Sequence, residues 1–172
     1  MPAPSWNLAI VVIFLMGIAF GYIMQRDKIV ATMLSVYVAL IITQAFSSPM
    51  QEFFEGSKTL NQFWVNLNAS PFTIRLVLFM GTITLLSAKS GISGGKTKGI
   101  LSPIEVIIYS ILTTGLVLSS IFFFMPPEGR EAFSANSKMA AFVINHYLWW
   151  IVLPALGLIG MGFFRKGSSS SD

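Results

Sequence analysis

The stretch from Ser102 to Glu128, SPIEVIIYSILTTGLVLSSIFFFMPPE, constrains this chain more than any other. It opens on a helix-start signal and stops at a double proline. Between them lie about 22 residues with one acid and no base, enough at about 1.5 Å per residue to cover a hydrocarbon core of roughly 30 Å. Read as a transmembrane helix, it sets the solvent in which every other apolar run must be explained. Composition agrees: 54% of residues are hydrophobic and 10% charged, against roughly 25% charged in a soluble domain. The expected fold class is all-α, a polytopic helical membrane protein with four to five spans and one or two amphipathic surface helices.

Taken in order, the apolar runs predict spans over about 6–25, 29–46, 72–88, 103–125 and 147–164 in a single membrane domain, 1–166. Met1 to Ser5 carry no base, so the first run lacks a signal-peptide n-region and is expected to be retained. Trp6 and Tyr22 stand near its ends, as interfacial aromatics do. Gly17 and Gly21 form a G-x-x-x-G pair, which bares two patches of backbone on one helix face and permits close helix contact. Arg26, Asp27 and Lys28 read as a polar turn. Thr43 and Gln44 are expected to make interfacial or interhelical hydrogen bonds. Residues 49–67 place Met50, Phe53, Phe54, Leu60, Phe63, Trp64 and Leu67 largely at helical spacing among polar residues. They predict an amphipathic helix that lies on the membrane surface or packs on the bundle. In the last run, Pro154 among Gly157, Gly160 and Gly162 leaves open whether it spans, kinks or re-enters. The Ser-rich tail, 167–172, is expected to be disordered.

Ser48-Pro49, Ser70-Pro71 and Ser102-Pro103 share one helix-start logic. Serine accepts from a free amide, and proline at the first helical position lacks the amide that would be orphaned. Glu105, three residues after Ser102, then completes a capping box and suits the positive end of the helix dipole. The rival reading makes Glu105 an ion- or proton-handling carboxylate. Arg75, one turn inside its span, either snorkels to headgroups or pairs with an acid or a lipid phosphate. Thr113 and Ser120 share a face of the fourth span and could extend a polar stripe.

Other chemistries are restricted. Cysteine is absent, which excludes disulfides and thiolate sites. One histidine cannot build a multi-histidine metal site within one chain. KSGISGGKTKG at 89–99 resembles a phosphate-binding loop, but Ser90 stands where its first glycine belongs and an apolar helix precedes it. No cofactor, metal or catalytic residue is expected, and the chain is read as no enzyme. The net charge of +4 comes from bases lying between apolar runs, where they set orientation, so no nucleic-acid partner is expected. With five spans, Arg26, Lys28, Lys89, Lys96, Lys98, Arg165 and Lys166 fall on one side. Lys58, Arg75, Arg130 and Lys138 fall on the other. The first side is then cytoplasmic, with the N-terminus outside and the C-terminus inside.

This layout resembles the colicin V production protein family of small bacterial inner-membrane proteins. The resemblance covers about residues 6–125. It rests on a first span ending in a glycine-aromatic step and a basic turn (Gly21, Tyr22, Arg26) and on a fourth span opening Pro103, Ile104, Glu105. The C-terminal apolar segment is a departure from that layout. The resemblance implies a role in toxin production or export and envelope homeostasis, and it supplies no catalytic residue. The expected function is therefore a non-catalytic scaffold or accessory factor in the inner membrane. Its expected partners are the lipid bilayer and another protein, or a second copy of itself. A channel or transporter component, or a holin-like protein, is the alternative.

Overall fold

In the computed structural model, residues 5–24, 26–54, 70–89 and 103–167 are described. They form seven helices and no strand: α1 (Trp6–Met24), α2 (Arg26–Phe54), α3 (Pro71–Lys89), α4 (Pro103–Phe124), α5 (Pro127–Asn136), α6 (Lys138–Asn145) and α7 (Tyr147–Gly167). Four of them contain stretches long and apolar enough to cross a membrane: Trp6–Ile23, Lys28–Phe53, Pro71–Ala88 and Ile104–Phe124. The α6–α7 pair, bent by 63°, would make a fifth.

α4 is the hub. One side of it contributes Leu116 and Phe124 to a core with Met33, Val36, Ala39 and Leu40 of α2 and Phe79 of α3. Its opposite side contributes Leu118 and Phe122 to a second core with Ile10 of α1 and Ala140 and Val143 of α6. A two-residue step on a helix turns about 200°, so 116 and 118, like 122 and 124, face opposite neighbours. The outer helices are much barer. Only 11% of the apolar stretch is buried in α1 and in α3, against 44% in α2 and 39% in α4. Leu8, Leu15, Met16, Tyr22 and Ile23 of α1 are exposed, as are Val77 and Leu85 of α3 and Leu148, Trp149 and Leu156 of α7.

The contacts fix the helix directions. Gly17 meets Thr114 and Gly21 meets Ser110, so α1 and α4 run antiparallel. α7 also runs back along α4: Tyr147 stacks on Phe123 at 4.7 Å, and the Tyr109 hydroxyl donates to the Gly157 carbonyl at 3.4 Å. One end of the bundle thus gathers the start of α1, the end of α4 and the α5–α6 corner. The other gathers the end of α1 and the starts of α2 and α4.

Several boundaries differ from the sequence expectation. Ser48-Pro49 is not a helix start: α2 continues through Pro49 to Phe54. Proline removes one amide and bends a helix without always ending it, and Ser48-Pro49 reads the same either way. Of the amphipathic stretch 49–67, residues 49–54 therefore belong to α2, and 55–67 lie outside the described residues. Arg26 to Lys28 form the first turn of α2 rather than a loop. α7 extends past Phe164 to Gly167; residues 168–172 and 90–102, and with them the expected Ser-rich tail and the helix start expected at Ser102, lie outside the described residues. Ser70 behaves as read from sequence. Its hydroxyl accepts from the Thr73 amide at 3.3 Å, with Pro71 opening α3.

The α5–α6 corner is tied to the start of α1 by a residue the sequence reading passed over. The Asn7 side-chain oxygen accepts from the Ser137 hydroxyl at 2.7 Å and from the Met139 amide at 3.2 Å. Ser137 itself caps α6 by accepting from the Ala140 amide at 3.1 Å. Trp6 packs edge-on against Phe133 beside it, at 4.5 Å. Asn7→Ala leaves the Met139 amide without this acceptor. It is expected to cost about 1–2 kcal/mol, read as a lower midpoint of thermal unfolding in detergent.

Candidate functional site

The sequence-derived candidates separate in space. Gly17, Gly21 and Thr113 come together at one place. Arg75 lies half-buried in α3, whose Phe79 packs on Phe124 at the far end of α4. Glu105 lies in the first turn of α4, so an Arg75–Glu105 pair is ruled out by position. One carboxylate oxygen of Glu105, Oε2, is buried and accepts no hydrogen bond from the described residues. Ser120 is fully buried, and its hydroxyl donates to the Leu116 carbonyl at 2.6 Å. Thr43 is also fully buried, and its hydroxyl oxygen has no partner among the described residues, contrary to the bonding expected of it.

The place where candidates converge is the seam of α1, α2 and α4. The G-x-x-x-G face of α1 lies on Ser110 and Thr114, one turn apart on α4. A Cβ added at Gly17 would sit 1.9 Å from the Thr114 Oγ1, and one at Gly21 would sit 1.8 Å from the Ser110 Oγ. The two hydroxyl oxygens therefore rest against bare glycine backbone, the geometry in which Cα–H groups donate weakly to oxygen. Only glycine allows this approach, because any side chain would occupy the position of the oxygen.

Beside this seam opens a cleft of about 50 Å³. α1 contributes Gly17, Phe20 and Gly21, α2 contributes Ile29 and Thr32, and α4 contributes Ser110, Thr113 and Thr114. All four hydroxyls donate to the carbonyl one turn back on their own helix: Thr32 to Lys28 at 2.8 Å, Ser110 to Val106 at 2.6 Å, Thr113 to Tyr109 at 2.7 Å and Thr114 to Ser110 at 2.8 Å. Each proton is thus engaged while oxygen lone pairs remain. The side-chain oxygens of the cleft are acceptors with no proton left to give. The polar stripe stops at Thr114, since Ser119 and Ser120 lie farther along α4 and do not line the cleft.

A second close approach holds α7. The ring of Trp150 covers Gly115, where an added Cβ would lie 2.1 Å from the ring carbon Cε3. Phe14 and Phe142 flank the same indole at 5.9 and 6.3 Å. Nearby, the Tyr37 hydroxyl donates to the Ile151 carbonyl. The amide that Pro154 lacks would have bonded the Trp150 carbonyl, so Tyr37 meets the next carbonyl along α7, in the same turn. Among the described residues, no group of three His, Cys, Asp or Glu side chains is placed to hold a metal ion.

Compared with known protein families, curated proteins and solved structures, the chain matches none.

Proposed function

We propose that this chain is a multi-pass inner-membrane protein that acts without catalysis, as a scaffold or accessory factor for a membrane partner or a second copy of itself. The observation that carries the reading is the bare apolar exterior of α1, α3 and α7. Tyr22 and Ile23 are 69% and 77% exposed, and Leu85 and Leu148 are 67% and 72% exposed. Apolar surface on this scale is stable against lipid or a partner and not against water. Engagement of the cleft and core hydroxyls with their own backbones supports a packing role over a catalytic one. The bacterial envelope setting, and with it toxin or bacteriocin production and export, rests on the resemblance to the colicin V production proteins alone.

The proposed topology has five crossings, with α7 alone as the fifth. Asn7 holds the start of α6 level with the start of α1, and Tyr147 lies level with Phe123. From there the 21 residues of α7 measure about 31 Å at 1.5 Å per residue. The N-terminus is then outside and the C-terminus cytoplasmic, with the basic end of the bundle inside. The chain has no cysteine, so Gly94→Cys and Glu128→Cys serve as single reporters. In intact cells an impermeant thiol reagent is expected to label the second and spare the first; the reverse pattern refutes the orientation. The scaffold role is tested by crosslinking in native membranes followed by purification. A specific partner or a defined oligomer is expected, and a strictly monomeric, partnerless protein contradicts the role.

A further inference from the structure

We infer that the cleft between α1, α2 and α4 binds the hydroxyl head of a lipophilic alcohol, a neutral amphiphile that donates one O–H and keeps its tail in the bilayer. The inference rests on the membrane reading above. Its first support is the donor–acceptor inventory. Thr32, Ser110, Thr113 and Thr114 have all given their protons to backbone carbonyls. A phosphate, carboxylate or ester carbonyl, which can only accept, finds no free side-chain donor among the described lining residues. A ligand that donates finds open lone pairs on Thr32 and Thr113, since the oxygens of Ser110 and Thr114 already lie against glycine. Among the described lining residues there is no acidic side chain, so a bare cation would lose its hydration there without a compensating charge.

Size and depth narrow the class. A cleft of about 50 Å³ exceeds the roughly 10–15 Å³ that one water needs, but it admits little more than a hydroxyl and its carbon. Gly21 stands three residues before Met24, the end of α1, and Ser110 seven after Pro103, the start of α4. At 1.5 Å per residue the cleft lies about 5–10 Å inside the helix ends, within reach of an amphiphile's head. The tail has a path as well. Phe20, which lines the cleft, continues through Met16 and Ile13 as an exposed apolar bank along α1, these residues being 50%, 66% and 41% exposed.

The test uses the purified full chain in a nonionic detergent with a photoreactive diazirine alkanol, and crosslinked residues are mapped by mass spectrometry. Saturable labelling near Phe20 and Ile29 is expected. Decan-1-ol should compete for it about three- to tenfold better than 1-methoxynonane, which has the same length but no O–H to donate. Thr32→Val with Thr113→Val keeps the side-chain shapes and should weaken labelling by a similar factor while the unfolding midpoint stays near that of the parent. Equal competition by the ether, or unchanged labelling in a folded double variant, overturns the proposal. So does displacement of the probe by sodium chloride but not by choline chloride, which would assign the cleft to a cation. A chain that stays monodisperse without detergent refutes the membrane reading instead.

Discussion

Gly17→Leu is expected to separate α1 from α4 and lower the stability of the bundle by about 3 kcal/mol or more, a loss typical of severe overpacking. The Cβ alone would lie 1.9 Å from the Thr114 Oγ1 and 3.0 Å from its Cβ. Both atoms belong to a short, branched side chain on a central helix, so there is no flexible end to swing away. Beyond the Asn7 and Trp6 contacts at its start, α1 has little else to hold it. One face carries Ile10, Phe14, Gly17 and Gly21 inward, and most of the remainder is exposed. Replacing glycine by leucine or alanine raises helix propensity, so the loss comes from the steric conflict, which a change on the facing helix can relieve. Gly17→Ala, costing about 1–3 kcal/mol alone, should therefore be relieved by Thr114→Gly, which removes the opposing side chain. The pair is expected to be at least about 1 kcal/mol more stable than the sum of its single variants. Additive costs, measured by thermal unfolding in detergent, would contradict the seam as drawn.

Gly115→Val is expected to have the next largest effect, about 3 kcal/mol, by driving the Trp150 ring off α4. An added Cβ would meet two ring carbons at 2.1 and 2.2 Å. The indole cannot slide sideways easily, because Phe14 and Phe142 flank it. Displacing it would remove the ring that joins α7 to the α1–α6 core and would open a cavity beside Leu118 and Val143. Trp150→Ala alone should cost about 3–5 kcal/mol. If the conflict with Trp150 is the whole cause, Gly115→Val should cost much less in a Trp150→Ala background than in the parent. An equal cost in both backgrounds would place the damage elsewhere on α4.

The two variants also mark what could be read from sequence. α4 was legible as the organising helix because its apolar run is long and ends at a double proline. Its central place became visible only with the two cores that share it. The G-x-x-x-G pair was legible on α1. Its partners Ser110 and Thr114 were not, because a hydroxyl pair one turn apart looks the same whether it faces a neighbour, a pore or lipid. Gly115 carried a weak signal, a lone glycine inside an apolar helix, but nothing local connects it with an indole 35 positions later. Trp149 and Trp150 are adjacent and alike in the sequence, and of the two only Trp149 is exposed. Asn7 was passed over because a single amide at a helix start resembles an ordinary cap; its partners lie 130 and 132 residues away.

The central claim is that the bare faces of α1, α3 and α7 are covered by a bilayer. Alkaline carbonate extraction of membranes from cells expressing the full chain tests it most directly. Carbonate strips peripheral proteins and leaves integral ones in place. The account predicts that the chain stays in the membrane pellet and is released only by detergent. Recovery of the intact chain in the carbonate supernatant would contradict it.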